Sequence, residues 1–265
     1  MMAESADAPA TSISVLPPHP VLSGFYAESA LRQPLVNGLF DASAAHYDRV
    51  TSLMSFGTGA GYRRSVLRRI GVGEGSKVLD VACGTGQVAM AAQRLVGPNG
   101  TVVGVDPSAG MRAVAERKRG VRTMEGTAER LPVGDGFFDF VVMGYALRHV
   151  SDLIATFREM GRVVRPGGTV AVLEITPPER RAFRALLKLY LKRVVPSATL
   201  LATGSLSAKR LMDYYWESIE QCVSPDAILN AMGEAGLRNP LRHRTLGIFS
   251  EYTAVVRDDE PRHPR

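Results

Sequence analysis

Between residues 77 and 175 the chain repeats a short apolar stretch followed by a segment whose apolar residues have helical spacing. The apolar stretches, which lack polar alternation, lie at 77–82, 101–106, 121–127, 137–145 and 169–175. The helical patterns between them cover 87–96, 108–119 and 152–164. Strands that are apolar on both faces and alternate with helices are typical of a parallel sheet covered by helices on both sides. The pattern therefore predicts a doubly wound α/β domain.

The segments that flank this repeat predict a helical lid, a helical cap and a C-terminal hairpin. Apolar residues recur at helical spacing before residue 71, and residues 241–249 and 251–257 predict two paired strands, which makes a seven-stranded, mostly parallel sheet. Residues 1–20 are rich in Ala, Ser and Pro, which favours disorder. The expected organisation is a disordered tail at 1–20, the lid at 21–71, a main domain at 72–257 that includes the cap at about 178–222, and a tail at 258–265.

An amphipathic helix at residues 180–195 begins the cap. Its apolar face carries Phe183, Leu186, Leu187, Tyr190 and Val194, and its opposite face carries Arg181, Arg184, Lys188 and Lys192. In one interpretation the apolar face packs on the sheet. In the other, the helix covers the acceptor site while its basic face approaches anionic lipid.

Composition narrows the class of protein without deciding its function. The 265 residues are 45% hydrophobic and 22% charged, as in ordinary soluble domains, and no run of 18 apolar residues occurs. The two cysteines, Cys83 and Cys222, match no metal-ligand spacing, so we expect no metal site. With no secretory signal evident, we expect a cytoplasmic protein. The net charge of +6 is compatible with anionic partners, but no basic cluster interleaves with aromatic residues, so we expect no nucleic-acid partner.

The first predicted strand leads into a glycine-rich loop that could hold a nucleotide. The letters GTGQVA from Gly84 fit the dinucleotide fingerprint G-x-G-x-x-A, and Asp106 follows 20 residues after Gly86. Asp80, however, would repel a pyrophosphate and would pair with the ammonium of an amino acid. The loop thus favours S-adenosylmethionine, with a nicotinamide dinucleotide as the alternative.

Eleven residues are candidates for binding this cofactor. Asp106 can accept hydrogen bonds from both ribose hydroxyls, although it could instead cap the following helix. Thr127 and Ala128 can offer backbone groups to an adenine edge. The full set, taken from the ends of four predicted strands, is Asp80, Ala82, Gly84, Thr85, Gly86, Asp106, Pro107, Met111, Thr127, Ala128 and Gly144.

Four stretches in this order resemble the class I S-adenosylmethionine-dependent methyltransferases: VLDVACGTG, VVGVDPSAGM, EGTAERLPVGDGFFDFVVM and GRVVRPGGTVAVLEI. Four more are similar to the C-methyltransferases of ubiquinone and menaquinone biosynthesis: LFDASAAHYDRVTSLMSFG, GYALRHV, YYWESIEQCVSPDAILNAMGEAGL and GIFSEYTA. The sequence departs from that family at His149, where Asn is usual, at Val223-Ser224, where Phe-Pro is usual, and in its extended N-terminus.

The resemblance implies C-methylation of the ring of a benzoquinol or naphthoquinol, with or without a prenyl tail. It also implies that Arg148 activates the quinol hydroxyl through water. Arg148 cannot itself be a base at neutral pH, so we expect an electrostatic role, and His149 could take the proton directly. Tyr47 is a candidate lid residue over the cofactor. Structural alternatives are a surface ion pair for Arg148 and a packing role for His149.

Other functions stay open at this point. The same scaffold supports O- or N-methylation of another small aromatic metabolite, and the motifs are also compatible with a non-catalytic subunit that binds S-adenosylmethionine. The fingerprint alone would allow an NAD-dependent oxidoreductase. Peripheral contact with the inner face of a membrane is a further hypothesis, and the sequence does not determine the oligomeric state.

Overall fold

A seven-stranded sheet organises residues 15–55 and 57–258, which are the residues that the computed structural model describes. Its strands are β1 (Lys77–Val81), β2 (Thr101–Val105), β3 (Arg122–Met124), β4 (Phe138–Gly144), β5 (Val164–Ile175), β6 (Arg238–Thr245) and β7 (Phe249–Val255). The strand order is β3-β2-β1-β4-β5-β7-β6. The first five strands are parallel, and β7 pairs antiparallel with both β5 and β6. The predicted mostly parallel sheet with a C-terminal hairpin is confirmed.

Helices cover both faces of the sheet, as the doubly wound prediction requires. They are α1 (Arg32–Met54), α2 (Gly59–Arg69), α3 (Gln87–Val96), α4 (Ala109–Arg119), α5 (Leu153–Val163), α6 (Arg181–Leu189), α7 (Val195–Thr203), α8 (Leu206–Glu220) and α9 (Pro225–Glu234). Apolar residues of α5 and α9 pack on one face, and those of α2 and α3 pack on the other. The sheet is therefore buried on both sides, and its functional edge lies where the parallel strands end.

Residues 15–20 are packed against the main domain, whereas the sequence predicts disorder up to residue 20. The Leu16 amide donates to Asp152 (3.2 Å), the Leu16 carbonyl accepts from the Leu153 amide (2.9 Å), and His19 is 1% exposed. Composition could not reveal these tertiary partners, so the prediction is wrong for this segment. Residues 1–14, and residues 259–265 of the predicted C-terminal tail, lie outside the described residues.

The lid and the cap pack on each other above the carboxyl ends of the strands. Helix α1 of the lid and helix α8 of the cap share one apolar cluster that includes Val36, Leu39, Leu211 and Trp216. The chain between residues 181 and 203 is helical throughout, with a π-helical segment at Tyr190–Val194 between α6 and α7. Such segments interrupt α-helices mostly at functional sites.

The cap helix α6 is largely exposed, which contradicts the interpretation that its apolar face packs on the sheet. None of its residues is buried, so its apolar face does not pack on the sheet. Phe183, Leu186 and Leu189 are 39%, 62% and 57% exposed. Salt bridges instead join the basic face to α8, with Arg184 and Lys188 on Glu220, and Lys192 on Glu217. Both faces meet solvent, since the side chains of Arg184, Lys188 and Lys192 remain 48%, 46% and 44% exposed in these salt bridges. No helix in the described part of the chain is long and apolar enough to cross a bilayer.

Candidate active site

Two adjoining cavities lie at the carboxyl ends of β1, β2 and β4. The small cavity has a volume of about 80 Å³ and lies beneath α1, against the ends of β2 and β3. The large cavity has a volume of about 570 Å³ and lies between α1, α2 and the cap. Residues that line both are Tyr47, Ala82, Gly84, Gly144 and Tyr145. A ligand held across this junction would lie in both cavities.

All but one of the predicted cofactor residues line these cavities. Those in the small cavity only are Asp106, Pro107, Met111, Thr127 and Ala128; Asp80 and Thr85 line the large one, and Ala82, Gly84 and Gly144 line both. Gly86 lines neither. It adopts φ = 80°, and a Cβ atom there would lie 3.1 Å from Ala115 and from Val121. Gly86 shapes the turn into α3 rather than contacting a ligand.

Asp80 is a buried carboxyl group with one free oxygen. Its Oδ2 accepts a hydrogen bond from the Ala89 amide (2.8 Å), while Oδ1 has no partner among the described residues. Burial raises the pKa of Asp80 to about 7, and the carboxylate of Asp106 contributes in the same direction. A buried anion without a counterion is costly, so this geometry fits a ligand that brings a cation.

Asp106 holds the glycine loop in place. Its Oδ2 accepts from the Gly84 amide (2.7 Å) and its Oδ1 from the Ser108 amide (2.9 Å). The residue that caps α4 is Ser108, whose hydroxyl accepts from the Met111 amide (3.1 Å), so the capping alternative for Asp106 is wrong. Each carboxylate oxygen keeps a second lone pair for a ligand hydroxyl.

A zwitterionic amino acid fits the junction between the cavities. A Cβ atom on Gly84 would have no neighbour within 4 Å, so the loop leaves open space there. The guanidinium of Arg63 lines the large cavity and forms no salt bridge with any carboxylate of residues 15–55 or 57–258. Arg63 thus offers a cation to a ligand carboxylate, and Asp80 offers an anion to a ligand ammonium. The sequence analysis missed Arg63, because only the packing of α2 brings it to the cavity.

Two acidic side chains of α1 bind the lid to the loops and helices around the small cavity. Asp41 accepts from the Ser108 hydroxyl (2.5 Å) and from the Gly110 amide (2.9 Å). Asp48 accepts from the Thr85 hydroxyl (2.7 Å) and forms a salt bridge with Arg119 (2.9 Å). A cavity of about 80 Å³ is well below the size of typical small-molecule pockets. The small cavity is therefore too small to hold a nucleoside with α1 in its present position.

Arg148 is fully buried and lines neither cavity, although the sequence analysis places it facing the acceptor. Its Nη1 donates to Glu174 (2.5 Å) and to the Tyr145 carbonyl (2.8 Å), and its Nε donates to Ser218 (3.2 Å). The guanidinium lies 4.4 Å from the centre of the Tyr215 ring. Arg148 therefore forms an ion pair, but a buried one, and Tyr215 and Tyr145 lie between it and the large cavity.

His149 lines the small cavity, on the side of the residues predicted to hold the nucleoside. Its Nδ1 lies 3.3 Å from the Tyr214 hydroxyl, and its ring stacks on Tyr214 and meets the edge of Phe40. Burial lowers the pKa of His149 well below its ordinary value, and the Arg148 cation acts in the same direction. This packing is the structural alternative considered above.

Tyr47 of α1 lines both cavities, and Tyr215 of α8 is its hydrogen-bond partner. The two hydroxyl oxygens are 2.6 Å apart, and both side chains line the large cavity. Tyr145 connects the cavities with φ = 62°, a left-handed conformation that is unusual for a bulky residue. The sequence analysis missed Tyr215, and no local pattern distinguishes it from the adjacent Tyr214.

Two solved structures with the same architecture are methyltransferases. A SAM-dependent methyltransferase from Aquifex aeolicus is 20% identical, with a TM-score of 0.55 over 73% of this chain and 89% of that one. A SAM-dependent methyltransferase from Thermotoga maritima is also 20% identical, with a TM-score of 0.59 over 82% and 98% of the two chains. At this identity the similarity shows the fold, and it confirms the predicted class I methyltransferase architecture.

Relatives in sequence define the family. A demethylmenaquinone methyltransferase of Geobacillus kaustophilus is 37% identical over 77% of this chain and 89% of its own length. A protein of the same name from Staphylococcus aureus is 36% identical over 72% and 78%. The model of the ubiE/COQ5 methyltransferase family matches residues 28–255. Methyl transfer from S-adenosylmethionine is thereby confirmed over nicotinamide oxidoreduction, and the chain belongs to the ubiE/COQ5 methyltransferase family.

Proposed function

We propose that this chain methylates a ring carbon of a naphthoquinol of the demethylmenaquinol type. The observation that carries the proposal is the large cavity, whose volume of about 570 Å³ adjoins the cofactor residues at Gly144 and Tyr145. Its wall is mostly aromatic and aliphatic, with contributions from Tyr62, Leu187 and Phe249. Such a lining suits a fused apolar ring better than a charged metabolite. The names of the relatives in Geobacillus and Staphylococcus support the same acceptor class.

S-adenosylmethionine, when bound, supplies a methyl group on a positively charged sulfur, which is a strong electrophile. Asp80 pairs with its ammonium group and Arg63 with its carboxylate, as charge complementarity favours. Asp106 accepts hydrogen bonds from the ribose hydroxyls, and backbone groups of Thr127 and Ala128 contact the adenine. With both ends of the cofactor held, catalysis consists largely of placement.

The protein's remaining contribution is to make the acceptor ring nucleophilic. A quinol ring carbon gains electron density when a neighbouring hydroxyl loses its proton. Among the described residues, no histidine lines the large cavity and Asp80 is its only carboxyl group. Asp80 is committed to the ammonium, so the chain acts by stabilising the phenolate electrostatically rather than by a dedicated carboxylate or imidazole base.

An acceptor screen tests this function. Purified protein is incubated with S-adenosylmethionine and demethylated benzoquinols or naphthoquinols, in reduced and in oxidised form. We expect reduced naphthoquinols to gain one methyl group at a ring carbon, located by mass spectrometry and NMR. The oxidised quinones should be inert because their ring carbons are electron-poor. Methylation at oxygen or nitrogen only, or activity restricted to acceptors other than quinols, would contradict the proposal.

The exposed apolar face of the cap is the part of the chain that contacts a lipid bilayer in this proposal. Leu186, Leu189 and Leu201 are 62%, 57% and 88% exposed, and Leu246, which lines the large cavity, is 77% exposed. An apolar patch beside the opening of an apolar cavity suits transfer of a prenylated ring from lipid into the site. Arg184 and Lys188 of α6 are paired with Glu220, and Lys192 of the π-helical segment is paired with Glu217, so apolar contact dominates over charge.

Flotation with liposomes tests the bilayer contact. We expect binding to neutral and to anionic vesicles alike, with little loss at high salt, since apolar contact is not screened. The double variant Leu186→Glu/Leu189→Glu should lose binding while its activity on a short-chain acceptor stays unchanged. Leu241→Glu is the matched control, because that side chain is 65% exposed on the edge strand β6. Absence of wild-type binding at every salt concentration would refute the contact.

A further inference from the structure

The hydroxyl groups of Tyr47 and Tyr215 form a pair that faces the proposed acceptor. They approach to 2.6 Å, one from the lid and one from the cap, at the wall of the large cavity. A hydroxyl pair shares one proton internally, which leaves the second proton free to be donated outward. The pair can therefore give a hydrogen bond to an oxygen atom in the cavity.

A buried positive charge lies behind this pair. The Arg148 guanidinium is 4.4 Å from the centre of the Tyr215 ring and is wholly shielded from solvent. Ser218, one turn after Tyr215 on α8, accepts from Arg148 (3.2 Å) and donates to the Tyr215 carbonyl (3.0 Å). A cation close to a phenol makes its hydroxyl a stronger hydrogen-bond donor, and the effect is larger where water is excluded.

We infer that the Tyr47–Tyr215 hydroxyl pair binds the ionised hydroxyl oxygen of the acceptor, with Arg148 acting through the Tyr215 ring. This inference rests on the proposed function. The acceptor O–H bond breaks, its proton passes to water, and the electron pair stays on oxygen. The ring carbon then forms its bond to the methyl carbon as the carbon–sulfur bond breaks and its electron pair stays on sulfur. Loss of the ring proton to water restores the aromatic ring.

The protonation state of the pair agrees with a role as donor. Burial raises the pKa of Tyr47 well above its ordinary value, and the neighbouring Tyr215 hydroxyl contributes to this. A neutral phenol donates to a phenolate, as an oxyanion hole does. The other ionisable groups that face the cavity are Tyr62 and Arg63 on α2, Asp80 on β1, Cys83 and Tyr145 on the strand ends, and Tyr190 on the cap.

A chromogenic phenol tests the inference without methyl transfer. 4-Nitro-1-naphthol changes its absorbance on ionisation, so its apparent pKa can be measured bound to protein in the absence of S-adenosylmethionine. We expect wild-type protein to lower this pKa below that of the free naphthol. Tyr215→Phe keeps the ring over Arg148 but removes the hydroxyl, and should raise the bound pKa by about 1 to 2. No shift in the wild type, or an equal shift in Tyr215→Phe, would overturn the inference.

Kinetics provide the second measurement. Tyr215→Phe should lower kcat by about 10²-fold, with the Kd for S-adenosylmethionine and the melting temperature unchanged, and raising the pH should recover part of the loss. Tyr214→Phe is the matched control, because this neighbouring phenol lines neither cavity and should keep wild-type kcat. A Tyr215→Phe variant with wild-type kcat would overturn the inference. A wild type that ionises the naphthol but methylates no quinol would instead refute the proposed function.

Discussion

Replacing Asp80 by asparagine is expected to weaken S-adenosylmethionine binding by about 30-fold to several thousand-fold, since removing one partner of a buried charge pair costs roughly 2–5 kcal/mol. Asparagine keeps the shape of the side chain and an oxygen for the Ala89 amide, so the fold should persist. Isothermal titration calorimetry measures the change in Kd. Asp139→Asn is the control, because Asp139 begins β4 at the opposite end of the sheet, where it accepts from the Lys77 amide.

The pH dependence of the same binding reaction provides an independent check. The pKa of Asp80 in the free protein is about 7. Below that pH the carboxyl group is protonated and must release its proton before it can pair with an ammonium. Affinity should therefore fall towards about tenfold per pH unit as the pH decreases below 7, and the asparagine variant should lack this dependence. Identical pH profiles for the two proteins would exclude Asp80 as the ammonium partner.

Replacing Glu174 by glutamine is expected to destabilise the fold by about 3–5 kcal/mol, because it leaves the buried Arg148 charge without a counterion. Both side chains are at most 2% exposed, so water cannot substitute for the lost carboxylate. Urea denaturation measures the free energy of unfolding. Glu179→Gln should change it by less than about 0.5 kcal/mol, since the Glu179–Arg244 pair lies at the surface.

A double variant separates the charge from the packing at this site. Arg148→Met/Glu174→Leu removes both charges and should recover most of the stability that Glu174→Gln loses. The same double variant removes the cation behind Tyr215, and its activity should stay low although its fold is restored. If Glu174→Gln lowers the free energy of unfolding by less than about 1 kcal/mol, the prediction that this ion pair stabilises the fold is wrong.

The fold was predictable because apolar stretches alternate with segments of helical spacing along the chain. Strands that are apolar on both faces have one stable arrangement, a sheet with helices on both sides, and the turns between them are marked by glycine. The candidate cofactor residues followed from the same regularity, since parallel strands end at one edge of the sheet. The positions of Asp80, Asp106 and Gly144 relative to those strand ends were enough to predict that they line the cavities there.

The directions of Arg148 and His149 were not predictable in this way. They are adjacent in a single turn of 3-10 helix, Leu147–His149, where successive side chains point about 120° apart. Which of them faces a cavity depends on the backbone that enters the turn, and there Tyr145 adopts φ = 62°. A left-handed tyrosine cannot be anticipated from residue preferences, which favour glycine at such angles.

The orientation of α6 was ambiguous for a related reason. An amphipathic pattern shows that a helix has two faces but does not show which face meets solvent. The basic side chains Lys188 and Lys192 pair with Glu220 and Glu217 of α8, which are distant in sequence. The pattern along the helix alone therefore could not show that this face contacts α8. Tyr215 was missed because its meeting with Tyr47 depends on how α8 packs across α1.

The position of α1 above the small cavity has a consequence for the order of events in turnover. Tyr47 belongs to α1, which covers the small cavity, and its hydroxyl is also one of the two that face the large cavity. In the proposed function, release of the spent nucleoside requires α1 to shift, and this movement would separate Tyr47 from Tyr215. Each turnover would then have to bring Tyr47 and Tyr215 together again. Until they meet, no acceptor carbon is aligned with the methyl group.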